Sequence, residues 1–170
     1  MHALLQHFQH QAGHHQWATE RLLGEAIERL PEADYRADVR LFFHSIHGTL
    51  NHLLVAERIW QARFFENHSP RLSLDAELFR DRAALLAELR AAAQRWVGWL
   101  GTQAPENLGG ELHYVRSDGQ PSVVPKAATL GHVFNHGTHH RGQITAALTA
   151  LGHAAPELDW IRQLQKPKHL

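Results

Sequence analysis

Residues 132–140 hold four histidines, His132, His136, His139 and His140, in nine positions. Imidazole is both a ligand for divalent metals and an acid–base group near neutral pH. A spacing of four puts His136 and His140 one turn apart on one helix face, close enough to converge on a single ion. The stretch also has helical periodicity: Leu130, Val133, Gly137, His140, Ile144, Ala147 and Leu151 alternate by threes and fours, the mark of a buried stripe. At about 100° per residue, with His140 at zero, the apolar members of that stripe centre near about +20°. His140 lies inside the stripe, and His136 lies within about 60° of its centre. His132, near about −80°, falls at the boundary, and His139, near about −100°, points away from the bundle axis.

Two imidazoles hold a divalent ion poorly in water. An open site normally has three protein ligands and a free position. The third is expected from the buried edge of another helix. His52 is the best placed, beside the seam Phe42, Ile46, Thr49, Leu53, Ala56 and Trp60, with His44 its rival near the helix start. On the first helix the stripe Leu4, Phe8, Gln11, His15, Ala18 and Leu22 has two polar members. Polar groups facing a core need partners. His15 is therefore a candidate fourth ligand, and His15 and Gln11 are candidates for orienting substrate or water. His132 is a candidate for supporting the ligands from outside. His7, His10 and His14 read as a solvated face, Glu57 as an exposed helix residue with no required role, and Trp17 and Trp60 as core aromatics. Arg141 and Gln143 read as packing or hydrogen-bonding groups beside the ligands.

Three imidazoles accept zinc, nickel, copper or iron. Being neutral, they leave the ion its full charge, enough to bring bound water near its pKa at neutral pH or to take a thiol as thiolate, the nucleophilic form. The chain has no cysteine, so a thiol must come from outside. No Ser/His/Asp arrangement, phosphate loop or pair of acids stands out.

The elements that must position these residues are four amphipathic helices. The first runs from about Ala3 to Leu30, where Pro31 stops it. The second runs from about Val39 to Glu66 with Asp38 as N-cap, and Asn67–Arg71 is a loop. The third runs from about Asp75 to Leu100, capped by Ser73 or Asp75. It carries the stripe Phe79, Leu86, Leu89, Ala93, Trp96 and Leu100 and no histidine, so it is a wall of the site. Residues 101–125 predict a short β-hairpin or extended crossover turning at Ser117–Gln120. The fourth helix starts near Pro125 and ends at Gly152, and residues 156–164 add one or two helical turns. The whole reads as one all-α domain over 1–170, a four-helix bundle whose last two helices are not simple antiparallel neighbours.

Composition narrows the function classes. Lys+Arg and Asp+Glu both total 17, which argues against a nucleic-acid binder working by phosphate neutralisation. No basic run suggests an anionic membrane surface. No secretory leader is visible, and no apolar run approaches the roughly 18 residues of a membrane span. A soluble cytoplasmic protein is expected. The outlier is histidine, with 16 scattered copies.

The run Asn135-His136…His139-His140-Arg141-Gly142-Gln143 resembles the HxxxHRGQ signature of the DinB family, the DinB/YfiT-like metalloenzymes. Thr49–Trp60 resembles that family's second-helix motif, with its histidine, downstream acid and tryptophan. Gln16–Leu23 resembles its first helix, and Leu158-Asp159-Trp160 its tail. The resemblance implies an up-down-down-up four-helix bundle, frequent homodimers, and one divalent ion, often nickel or zinc, on residues that map to His52, His136 and His140. Relatives of that kind include bacillithiol S-transferases and mycothiol-dependent maleylpyruvate isomerase. The expected activity is therefore transfer of a low-molecular-weight thiol to an electrophilic small molecule. A metal-dependent hydrolase, or a non-catalytic metal-binding stress or interaction protein, is the alternative. One departure falls at the first helix. Many relatives read Tyr-Asn-x-Trp-Ala-Asn where this chain has His14, His15, Trp17 and Thr19, and the exchange of Asn for His15 bears on the pocket or the ligand set.

Overall fold

Apolar residues recurring every three to four positions build four long helices, and a computed structural model describes them over residues 2–165. They are α1 (His2–Glu25), α3 (Ile46–Phe65), α4 (Arg82–Gly101) and α5 (Lys126–Ala150), with short helices α2 (Glu32–Arg36) and α6 (Trp160–Leu164). Strands β1 (Glu111–Val115) and β2 (Pro121–Pro125) form the antiparallel hairpin before α5, with Leu112 opposite Val124 and Val115 opposite Pro121.

Side-chain pairs give the directions. Gln9 donates to the Leu100 carbonyl and Arg90 to Glu20, so α1 and α4 run antiparallel. Arg58 meets Glu88 and Gln61 donates to the Ala92 carbonyl, so α3 and α4 run parallel. His52 meets His136 and Trp60 meets His132, so α3 and α5 are antiparallel. The order is up-down-down-up, with α1 opposite α3 and α4 opposite α5 across the two diagonals. Chain-consecutive long helices therefore need long connections, which residues 26–45 and 102–125 supply.

Two apolar clusters fill the bundle. One holds Leu22, Ile27, Tyr35, Leu50, Leu54, Leu85, Ile144 and Leu148, and the other Phe8, Ala12, Trp96, Leu100, Leu130 and Phe134. Between them in chain position lies a polar layer. Glu57 accepts from His15 Nε2 at 2.8 Å, Trp96 Nε1 at 2.6 Å and Gln61 Nε2 at 3.1 Å. Arg141 Nη1 donates to His15 Nδ1 at 3.0 Å. A guanidinium only donates, so Nδ1 is the bare nitrogen and Nε2–H faces the carboxylate. Burial alone would push the Glu57 carboxyl up, but His15, Trp96 and Arg141 hold it below the usual carboxylate range. Burial lowers Arg141 to about 10, opposed by Glu57, which leaves it cationic at neutral pH. The reading of Glu57 as an exposed residue without a role is thus overturned: it is 6% exposed.

Several boundaries also differ from the sequence expectation. Helix α3 starts at Ile46, not Val39, because residues 38–45 fold into a loop with positive φ at Arg40 (59°) and His44 (65°). Ser45 is its N-cap, accepting from Gly48 N at 3.0 Å, while Asp38 accepts from the Arg40 amide inside the loop. Phe42 is 82% exposed rather than in the seam. Helix α4 starts at Arg82, capped by Asp81 through the Ala84 amide, not by Ser73 or Asp75. In α1 the buried stripe runs through Leu5 and Ala12 instead of Leu4 and Gln11. The helix ends at Glu25 and is followed by a 3₁₀ turn before Pro31. The hairpin, the start of α5 after Pro125 and the C-terminal Gly152 (φ 84°) are as expected. No helix among the described residues is long and apolar enough to cross a membrane.

Glu57 and Arg141 are buried opposite charges bridged by neutral His15, so removing Glu57 leaves the Arg141 charge uncompensated. Glu57→Ala is expected to cost about 3–5 kcal/mol in urea unfolding, with Glu57→Gln, which keeps an acceptor, costing less. A loss under about 1 kcal/mol for Glu57→Ala would show that the layer does not hold the bundle.

Candidate metal centre

His52 comes from the middle of α3, and His136 and His140 come from successive turns of α5. Their Nε2 atoms converge: His52 to His136 is 3.1 Å, His140 to His136 is 3.1 Å, and all three lie within 4.8 Å of one another. In two of the rings the other nitrogen is tied. His52 Nδ1 donates to the Leu74 carbonyl at 2.8 Å, and His140 Nδ1 to Gln143 Oε1 at 2.7 Å. A carbonyl only accepts. Neutral His52 and His140 therefore carry the proton on Nδ1 and turn a bare Nε2 lone pair inward, toward His136 Nε2. The His52 ring is held from its other side by Phe43, stacked at 3.9 Å between centroids and 17° between planes. Gly48 permits this, since a Cβ there would lie 2.2 Å from the Phe43 carbonyl oxygen.

The electrostatics keep the rings neutral. Burial, then the neighbouring His140 and His52, lowers His136 to about 3. Burial lowers His140 to about 4, with the Gln143 bond opposing, and it lowers His52 against the Leu74 bond. The inward lone pairs of His52 and His140, with His136 Nε2 between them, are placed to hold a cation at their centre. The dimensions fit: zinc–nitrogen bonds of roughly 2.0–2.1 Å at tetrahedral angles separate ligand nitrogens by about 3.3 Å. His52 and His136 also line a cleft of about 250 Å³ walled by Trp60, Leu72, Tyr114 and His132. The triad is thus open on one side.

The other candidates fall elsewhere. Both His15 nitrogens are engaged, by Glu57 and Arg141, so His15 is not a fourth ligand, and it belongs to the polar layer rather than the cleft. Gln11 lines a separate cavity of about 130 Å³ beside His14 and Trp160, away from the triad. His132 is exposed, 5.5 Å from the Trp60 ring and 5.9 Å from the His136 ring, and lines the cleft without bonding a triad nitrogen. His139 is exposed, as the helical angles require. His44 is exposed in the 38–45 loop, and His47 bonds Tyr35 and Glu77. His14 is not solvated: it stacks on Trp160, and burial lowers it to about 4. Trp60 serves as a cleft wall rather than a core aromatic alone. Sequence reasoning missed Phe43, Leu74 and Glu57. Only Glu57 left a signal, since it lies four residues after the seam residue Leu53.

An up-down-down-up bundle with a histidine triad between its second and fourth long helices defines a DinB/YfiT-like four-helix-bundle protein. The chain belongs to the DinB family, whose sequence pattern matches residues 3–168. It is similar to protein DinB of Bacillus subtilis (strain 168), with 27% identity over 150 residues, covering 85% of this chain and 86% of that protein. Among solved structures it is similar to YfiT from Bacillus subtilis, described as a "probable metal-dependent hydrolase with an unusual four-helix bundle topology". The TM-score is 0.68 at 16% identity, over 85% of this chain and 87% of that one. That likeness shows the fold.

A histidine whose folded pKa is lowered binds its proton more readily when unfolded, so acid favours unfolding. Here the unfolded rings protonate near pH 6.5, while folded His136 and His140 wait until about 3 and 4. Stability of the chelator-treated protein is expected to fall as pH drops from about 6.5 toward 4. Urea midpoints across that range should fall less steeply in His136→Ala, and an unchanged slope would count against neutral, buried rings.

Proposed function

We propose that His52, His136 and His140 hold one divalent ion, zinc or nickel, and that the protein is a metal-dependent enzyme acting on a small molecule in the adjoining cleft. The observation that carries this is the convergence of three Nε2 atoms, those of His52 and His140 turned inward by their Nδ1 partners, beside an open cleft. When bound, the ion supplies Lewis acidity, enough to bring water or a thiol toward its conjugate base near neutral pH. The chain's own residues do the rest. Leu74 and Gln143 hold the His52 and His140 imidazoles in one tautomer, and outer partners of this kind raise ligand basicity. Trp60 and Tyr114 wall the reacting volume.

Thiol transfer to an electrophile is the favoured reaction. No carboxylate lines the cleft among the described residues, and His132 is the imidazole there that could take a proton from water or from a thiol. A thiol ionises far more easily, and the cysteine-free chain leaves it to an external donor. The resemblance to bacillithiol S-transferases points the same way. Hydrolysis is the second reading, supported by the description of YfiT and by the open side of the triad. A purely structural ion is disfavoured because His15, the fourth histidine considered for closing the site, is engaged elsewhere.

Elemental analysis of untagged protein purified without a nickel column is expected to find one metal per chain, lost in His140→Ala. Gln143→Leu should weaken binding roughly 10–100-fold. Metal-free protein with His140→Ala unchanged in metal titrations would end the reading. With metal loaded, low-molecular-weight thiols and electrophiles are expected to be consumed together. Ester or amide cleavage without thiol loss would replace transfer by hydrolysis.

A further inference from the structure

The cleft beside the triad has an uneven charge lining. Its charged side chains are Arg63 and Arg116, with no Asp or Glu among the described residues that line it. Arg116 is 59% exposed and already paired with Asp118 at 3.2 Å. Arg63 is different. Arg58, Arg82 and Arg90 each meet a glutamate, whereas Arg63 pairs with no carboxylate among the described residues. Its guanidinium is fixed against the Trp60 ring at 4.6 Å and the Tyr114 ring at 4.1 Å, two residues that wall the same cleft. Nη2 donates to the Val115 carbonyl at 3.1 Å, and Nε is buried with no acceptor. A half-buried cation with an idle donor is costly unless something completes it. Burial pulls its pKa below the usual arginine range, with Tyr114 opposing.

We infer that Arg63 is a specificity residue that receives a carboxylate of the substrate, so that the cleft takes small molecules with a reactive group toward the histidine triad and a carboxylate toward Arg63. This rests on the metal-centre reading for the reactive end alone. A carboxylate matches because it brings one negative charge and planar oxygens suited to a guanidinium. A phosphate dianion calls for further donors, and Arg116 is already held by Asp118. The volume of about 250 Å³ lies below the roughly 300–1,000 Å³ of drug-sized sites, which points to a small metabolite. If Arg63 served only to clamp the hairpin onto α3, the Nη2 bond to Val115 would suffice and no ligand preference would follow.

The test titrates zinc-loaded protein by calorimetry with glutarate and with glutaramide, its neutral counterpart of similar size. Wild type, Arg63→Gln and Arg63→Lys are compared, and zinc content is measured in every sample. Glutarate is expected to bind wild type at least roughly tenfold tighter than the diamide. That preference should fall at least several-fold in Arg63→Gln, any remainder being carboxylate on the zinc, and fall less in Arg63→Lys. Absence of the preference in wild type, or an undiminished preference in Arg63→Gln, overturns the inference. The same titration on metal-free protein separates the two readings. There the preference is expected to remain at lower affinity, so failure to load zinc sinks the metal centre while Arg63 is still read. Should Arg63→Gln not fold, protection of Arg63 in wild type from phenylglyoxal, mapped by mass spectrometry, decides: protection by glutarate and not by glutaramide is expected, and equal or no protection overturns the inference.

Discussion

Glu57 sits where the four long helices meet, and the bonds to it fix how they meet. Helix α1 sends His15, α4 sends Trp96, and α5 sends Arg141 behind His15, while Gln61 completes the second oxygen from α3 itself. A carboxylate out of water costs several kcal/mol unless such partners are in place. The apolar clusters on either side are less particular, because leucine against leucine survives a small slide. A slide of one turn would leave Glu57 and Arg141 as separate uncompensated charges. The polar layer thus selects one register from several that apolar burial alone would accept, the role for which buried polar groups are best attested.

That register also assembles the histidine triad. His52 precedes Glu57 by five residues on α3, and His140 is the immediate neighbour of Arg141 on α5. Setting Glu57 and Arg141 on either side of His15 therefore brings the His52 and His136 Nε2 atoms to 3.1 Å. Helix α5 works on two faces, with Gly137 and Arg141 toward α1 and His136 and His140 toward α3. Gly137 makes this possible: a Cβ there would lie 2.7 Å from His15 Cε1 and 2.8 Å from its Nδ1. The close approach of α1 to α5 and the placement of two triad histidines are consequences of the same helix packing.

The parts legible in the sequence were those written in periodicity. The alternation along α5 separated inward His136 and His140 from outward His139, and the structure keeps that division. The break at residues 101–125 announced the hairpin. What escaped was written in backbone conformation or in tertiary context. Val39, Leu41, Phe42 and Phe43 continue a helix-like apolar pattern, and nothing in them reveals the positive φ at Arg40 and His44 that makes a loop instead. Phe79 extended α4 in the same way, although the Asp81 cap sets its start. In α1 a phase error of one residue put Leu4 and Gln11 in the seam, because Leu4 and Leu5 are adjacent and equally apolar. Glu57 was misjudged because a charged residue on a seam reads as exposed until its partners on three other helices are seen together.

Those unread loops govern the His52 ring. The bundle sets where the three Nε2 atoms lie, but the 38–45 loop stacks Phe43 on His52 and the 66–81 segment brings the Leu74 carbonyl to its Nδ1. The hairpin adds Tyr114 against Arg63 on the far wall. Position is thus a property of helices and orientation a property of loops. The charge balance follows the same division. The triad is neutral and the chain as a whole has zero formal charge, while the acids that neutralise most arginines lie outside the cleft. An ion on three imidazoles would face a cleft whose charged lining is cationic. A concave surface with that lining would concentrate anions, so an anionic ligand would meet the loop and hairpin walls before any contact with the triad.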